Sequence, residues 1–306
     1  MLLSILSTLI KWRNLDNISI NEERYIEYMN GVNQITTTIT VAPSGDVRLL
    51  QITDTHLFAD NERDLLGIKT VNSYEAVIKD ASKYIGQCDA ILSTGDLTQD
   101  HSIASYLSFS QKIKRLEAPC YWLPGNHDMQ SVMLPSLLKE GIAANKQILT
   151  PDWQIILLDS QVEGVPHGHL SEQQLAFLEE KLNEYPDKHV LIAVHHHVLP
   201  VGAAWLDQHI LTNNDEFITL VRRFNNVKAV LSGHVHQAFD TVHEGIRYLA
   251  SPSTCVQFKP KSDDFAVDDK QPGYRYLSLQ PSGNIETIVE RIKTGEFSTD
   301  ENATGY

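Results

Sequence analysis

The sequence predicts an α/β fold, on three observations. From Asp46 onward, short β-rich apolar runs alternate with longer segments of helical spacing, the pattern of a βαβ chain. Nearly every chemically unusual residue falls just after the apolar part of a predicted strand. The chain of 306 residues is 42% hydrophobic, enough to bury a sizeable core in one large domain with insertions.

The elements follow in order. VRLLQITD (47–54) reads as a buried strand, SYEAVIKDASKYI (73–85) as a helix, and DAILSTGD (89–96) as a second buried strand. SIASYLSFSQKIKRL (102–116) has helical spacing, and CYWLPGNHD (120–128) and QIILLDS (154–160) read as strands. Ser171 with Gln174 forms a capping-box pattern ahead of LAFLEEKL, so a helix starts there. VLIAVHHH (190–197) and VKAVLSGHVH (227–236) are two further strand-then-loop units. IRYLASPS and YRYLSLQPSGNIETIVERI alternate with a period of two around a Pro-Ser-Gly-Asn turn, as antiparallel strands do. The polar tail after Lys293 is expected to be mobile.

Composition narrows the partners. A formal net charge of −14 repels polyanions, and no basic run stands ready for a phosphate backbone, so nucleic acid is not an expected partner. Cys88, Cys120 and Cys255 are scattered with no CxxC spacing, which points to reduced thiols, a cytoplasmic setting and no cysteine nucleophile. No run approaches the roughly 20 apolar residues that span a bilayer, so no stable membrane association is expected. MLLSILSTLIKW lacks a basic region before it and a cleavage site after it, and reads as an untidy terminal helix or a weak surface anchor. Since recognisable patterning begins near Asp46, a translation start at Met29 is a third reading.

The chemistry sits at the strand ends. Asp54 and His56 follow the first strand, Asp96 the second, Asn126 and His127 the third, His195 to His197 a later one, and His234 and His236 the next. Open α/β sheets bind ligands outside the carboxyl ends of their strands, so five segments can converge on one crevice. Aspartate, histidine and asparagine without cysteine give mixed oxygen and nitrogen donors suited to iron, manganese or zinc. In Asp54-Thr-His56 and His234-Val-His236, the spacing lets both side chains point the same way off an extended backbone. Gly95, Gly125 and Gly233 precede candidate ligands and permit the turns that aim them. Each pair alone is commonplace, but the ordered set is not, and it holds more candidates than one tetrahedral ion can take. Two ions sharing a carboxylate suit them, with Asp96 as the natural bridge.

The motifs DTH (54–56), GD (95–96), GNHD (125–128), HH (195–196) and GHVH (233–236) resemble the calcineurin-like metallophosphoesterases. Within that superfamily, LLQITDTHLF, LLGIKTVNSYEAV, LLDSQVEGVPHG, WLDQH, SGHVHQ and SPSTCVQFKP resemble the bacterial class III 3′,5′-cyclic-AMP phosphodiesterases. The resemblance implies a four-layer αββα sandwich of two mixed sheets flanked by helices. It also implies an extension over residues 1–45, a metallophosphoesterase domain over 46–293 and a tail over 294–306. Asp54, His56, Asp96 and His236 would hold one divalent ion, and Asp96, Asn126, His195 and His234 a second, the pair being iron or manganese, with zinc also accepted. His196 and His197 would orient neighbours or line the pocket. Val198 stands where such proteins often have proline. Hydroxide generated between the ions would attack phosphorus and expel the ribose 3′ oxygen, with His127, which binds no metal in the family, stabilising phosphate or acting as general acid and Asp96 supporting catalysis. The substrate would touch His56, Asp96, Asn126, His127 and His236. A homodimer would be unsurprising by analogy.

Rival readings are a broader phosphodiesterase or phosphomonoesterase, a non-catalytic nucleotide-binding protein and, more weakly, a nuclease, which would want a basic track absent here. His101, His167, His169, Trp205 and Phe258 lie in segments expected to rim the cleft, yet packing accounts for each as simply as contact with a base.

Overall fold

The computed structural model describes residues 35–41, 44–293, 297–300, 303 and 305. The MLLSILSTLIKW patch and Met29 lie outside them. The strands are β1 (Thr36–Thr38), β2 (Val47–Gln51), β3 (Asp64–Leu65), β4 (Ile68–Lys69), β5 (Ala90–Thr94), β6 (Cys120–Leu123), β7 (Gln147–Leu149) and β8 (Trp153–Leu158). They continue as β9 (His189–Val194), β10 (Val227–Ser232), β11 (Phe239–His243), β12 (Ile246–Ala250), β13 (Gln257–Phe258), β14 (Val267–Asp268), β15 (Gly273–Leu279) and β16 (Ile285–Arg291). The helices are α1 (Thr70–Ala81), α2 (Ile103–Ile113), α3 (Gln130–Lys139), α4 (Glu172–Glu184) and α5 (Asn214–Val221).

Two mixed sheets form the centre. One has the order β16-β15-β2-β5-β6, the other β1-β7-β8-β9-β10-β12-β11, and two small hairpins, β3-β4 and β13-β14, stand apart. The central strands β2, β5, β6, β8, β9 and β10 are buried on both faces, which is why their apolar runs are continuous rather than alternating. In β2, Leu49 enters the cluster between the sheets and Leu50 the cluster beneath the outer helices. Between the sheets lie Leu49, Leu92 and Leu123 from one and Ile155, Leu157, Leu191 and Leu231 from the other. Outside the first sheet, Tyr74, Val77, Phe109 and Leu137 of α1 to α3 pack on Leu50, Ile91 and Trp122. Outside the second, Leu178, Leu182, Phe217 and Val221 of α4 and α5 cover Ile156, Ile192 and Val230. These are the four layers the resemblance implies, and each fully buried Leu, Ile or Phe contributes roughly 1.5–3 kcal/mol. Near the carboxyl ends of the strands, the Gln51 side-chain amide donates to Thr94 Oγ1 at 2.7 Å and to the Ser232 carbonyl at 2.9 Å, tying the sheets together.

The structure departs from the sequence reading in three places. First, β1 pairs with β7 ahead of Asp46, so the folded body reaches into the segment read as an extension. Second, β12 is antiparallel to β11 but parallel to β10, whereas the β15-β16 hairpin is antiparallel as expected. Third, the tail is held where it can be described: Phe297 exchanges two backbone hydrogen bonds with the Gln271 side chain, at 2.7 and 2.9 Å, and the Asp300 N–H donates to the Leu66 carbonyl at 2.8 Å. A polar composition did not predict mobility there because Phe297 packs on two apolar clusters. Among the described residues, no helix is long and apolar enough to cross a membrane.

Candidate metal centre

The loops after β2, β5, β6, β9 and β10 bring the predicted residues together. The spacing works, but not by an extended backbone: Asp54, His56, Asp96, His234 and His236 all have left-handed φ, from 43° to 67°. For non-glycine residues such conformations cost of order 1–3 kcal/mol each and persist only where surroundings over-determine them. Backbone bonds do so here. Asp54 N–H donates to Gly95 O and His56 N–H to Asp96 O, each at 3.0 Å, and His234 N–H donates to the Asp54 carboxylate at 3.0 Å. Of the preceding glycines, Gly95 does turn the chain, with φ +98°, but Gly125 serves close approach instead, since a Cβ there would collide with the Asp96 carboxylate.

The ligand atoms converge on Asp96. Its Oδ1 accepts from the His127 backbone N–H at 2.7 Å, and its Oδ2 is buried. That oxygen lies 3.2 Å from His195 Nε2 and 3.8 Å from His56 Nε2. On one side, His56 Nε2 is 3.1 Å from His236 Nε2, which is 3.5 Å from Asp54 Oδ1. On the other, His195 Nε2 is 3.1 Å from Asn126 Oδ1, and the His195 and His234 rings are 5.1 Å apart. The distal nitrogens are spoken for: His56 Nδ1 by Gln99 Oε1 at 2.6 Å, His195 Nδ1 by the Thr94 carbonyl at 2.7 Å and His236 Nδ1 by the Val256 carbonyl at 2.9 Å. This fixes the tautomer and turns each Nε2 inward, as outer-shell partners of metal-bound histidines do. Sequence reasoning missed these supports, because two are backbone carbonyls that any residue could supply.

Burial pushes the His56 imidazole down to about 3 and lowers His234 well below its ordinary value, so both are neutral lone-pair donors. Burial also opposes charge on Asp96, but His195 outweighs it and holds the carboxylate ionised. Burial works against charge on His195 too, but the Asp96 and Asp54 carboxylates raise it to about 9, so metal there would displace a proton. Imidazoles at His56, His195 and His234, a buried carboxylate, and His234 nitrogens without a partner among the described residues are a donor set that fits divalent metal. Asp128 completes the scaffold, accepting from Gly125 N–H at 3.0 Å, Leu97 N–H at 3.1 Å and Tyr106 Oη–H at 3.1 Å, and so locks the loops bearing Asp96 and Asn126.

The three consecutive histidines have different surroundings. His195 lies in the donor cluster; His196 hydrogen-bonds Ser160 Oγ through Nδ1 at 2.7 Å, and its ring abuts His234 at 4.8 Å. His197 Nε2 lies 3.4 Å from Asp207, with its ring stacked over His234. His195, His196 and His234 together offer ligand atoms within 4.8 Å of one another. Val198 is buried, its carbonyl accepting from the Asn214 side chain at 3.1 Å. The cysteines lie outside the centre, their thiols pushed up to about 12 by burial.

Fold and donor set define a metal-dependent phosphoesterase with two metal positions. The calcineurin-like phosphoesterase family profile matches residues 47–238, and the chain belongs to that family. It is 51% identical over 261 residues to the 3′,5′-cyclic adenosine monophosphate phosphodiesterase CpdA of Vibrio vulnificus, covering 85% of this chain and 95% of that one. It is 48% identical to CpdA of Escherichia coli, covering 88% and 98%. Among solved structures, a dimetal phosphatase from Danio rerio superposes with a TM-score of 0.56 at 16% identity, covering 81% of this chain and 99% of that one. A purple acid phosphatase from yellow lupin gives 0.61 at 14% identity, covering 84% and 53%. These two similarities are of fold.

Proposed function

We propose that the chain hydrolyses 3′,5′-cyclic AMP to 5′-AMP in the cytoplasm, with Asp54, His56, Asp96 and His236 holding one metal ion and Asp96, Asn126, His195 and His234 the other, as iron or manganese. The observation that carries the metal reading is the convergence of donor atoms on the buried Asp96 Oδ2, with His195 Nε2 at 3.2 Å and His56 Nε2 at 3.8 Å. The choice of cyclic AMP is supported by relatives at 51% and 48% identity, over nearly their whole length, that are named for that activity. When bound, the ions supply Lewis acidity toward the phosphate oxygens and lower the pKa of water.

The protein's own groups do the rest. Asp96 is held ionised chiefly by His195 and aimed by the His127 backbone N–H. The His127 ring meets His56 edge-on at 5.0 Å and lines the cavity over the centre with Asn126. There it hydrogen-bonds the phosphate and delivers a proton to the departing 3′ oxygen. His56, Asn126 and His236 complete the contact surface for the phosphate.

The test is hydrolysis of cyclic AMP by protein stripped of metal and refilled with manganese or iron, with product identification. Metal-dependent 5′-AMP, abolished in Asp96→Ala, is the expected result. An intact cyclic nucleotide beside a cleaved aryl phosphodiester would replace the substrate reading with a broader phosphodiesterase, and no turnover of either would leave a binding protein.

A further inference from the structure

The centre accounts for a phosphate but not for the rest of a nucleotide. A cavity of about 470 Å³ opens beside Asn126, His127 and His234, within the size range of small-molecule sites. Its wall away from the metal ligands is apolar apart from His209: Val165 and Pro166 come from the loop after β8, Trp205 and Leu206 from the segment after β9, and Phe265 from the loop joining β13 and β14.

Trp205 is braced against both halves of the centre. The Phe258 ring stacks on His236 at 4.3 Å and 8°, and Trp205 meets Phe258 edge-on at 5.0 Å. On the other side, Trp205 lies 6.3 Å from His209, which lies 6.3 Å from His234. Phe265 closes the corner, edge-on to Trp205 at 5.0 Å. One intervening ring therefore separates Trp205 from a candidate ligand of each metal position. Phe258 is 1% exposed and lies behind this wall as packing, and His101, His167 and His169 do not line the cavity. The buried indole N–H of Trp205 has no partner among the described residues.

We propose that Trp205, with Phe265, Val165 and Pro166, forms the surface that receives the nucleobase of the substrate, making Trp205 a specificity-determining residue; this rests on the cyclic-nucleotide reading above. Stacking on an aromatic ring is tolerant of base identity because every base has a π-face. The wall thus selects nucleotides over base-free phosphates more strongly than adenine over guanine.

The experiment compares binding of 5′-AMP and ribose 5-phosphate, which has an anomeric hydroxyl in place of the base, to manganese-loaded protein by calorimetry. Wild type is expected to prefer 5′-AMP by about 10-fold or more, on the scale of base-aromatic stacking. Trp205→Ala should bring the two affinities close together, with ribose 5-phosphate binding and manganese content unchanged, and Trp205→Phe should restore most of the preference. In turnover, Trp205→Ala should raise KM for cyclic AMP more than it lowers kcat. If Trp205→Ala does not fold, Phe265→Leu reads the same ratio. A preference that survives these changes, or an equal loss of both ligands, overturns the proposal while cyclic AMP turnover by wild type keeps the underlying reading intact. Wild type that leaves cyclic AMP intact and shows no preference for 5′-AMP would sink both.

Discussion

Five of the seven proposed ligands adopt a left-handed backbone, so the fold holds its reactive residues in conformations that an unconstrained chain avoids. Metal that binds only the folded state must therefore stabilise it, by about 2.7 kcal/mol at a concentration 100 times Kd. Thermal unfolding with and without manganese checks this, and an unchanged midpoint on chelation would argue against metal at these donors. Gly125→Ala separates scaffold from chemistry: its Cβ would collide with Asp96, so manganese content per chain should fall along with activity. His127→Asn should do the reverse, retaining both ions while kcat falls about 10²- to 10⁴-fold, the usual worth of a general acid. That these side chains could gather at one site was legible in the sequence because each is chemically specific. Their backbone conformations were not, since two-residue spacing suits either an extended chain or this alternation of left-handed residues.

At the scale of elements, legibility followed local encoding. Ser171 caps α4 as read, its side chain accepting from Gln174 N–H at 3.3 Å, but the Gln174 side chain accepts from Asp159 N–H instead of closing the box. Helix α3 escaped notice because Pro135 sits inside it and its first turn has no side-chain cap. Strands β1 and β7 are three residues each and pair with one another, so neither carries a periodic signal of its own. Just ahead of β7, Lys146 makes a pH prediction. Its ammonium donates to the Trp122 carbonyl at 2.6 Å and lies 3.9 Å from the Trp122 ring, and burial pushes its pKa down to about 8 from 10.5. Between those values the unfolded chain holds a proton that the folded protein has released, so this contribution to stability rises from pH 8 toward 10.5 and is lost as pH falls through 8. Urea unfolding at pH 7.5 and 9.5 should therefore show wild type gaining on Lys146→Met at the higher pH. An equal difference at both would mean that the folded ammonium is not depressed.

Across the whole molecule, the four layers were readable because the doubly buried strands announce themselves as apolar runs, while the ends of the folded body were not, because they borrow their partners from distant segments. Phe297 is the clearest instance: its N–H and carbonyl both pair with the amide of Gln271, 26 residues earlier, and its ring packs where two apolar clusters meet. Gln271 is only 7% exposed, so a chain ending at Lys293 would leave a buried amide without those two partners, a loss of roughly 1–3 kcal/mol. The urea midpoint of that truncated chain should fall accordingly. Gln271→Leu should then recover part of the loss, because removing both members of a buried polar pair is far less costly than removing one. In the full-length chain the same substitution should destabilise, and that reversal of sign distinguishes a specific clasp from a general effect of shortening. Gly305 also lines the cavity beside Asn126 and His127, so truncation should alter KM for cyclic AMP as well as the midpoint. If both quantities stay at their full-length values, the tail contributes neither to the stability of the fold nor to the shape of the cleft.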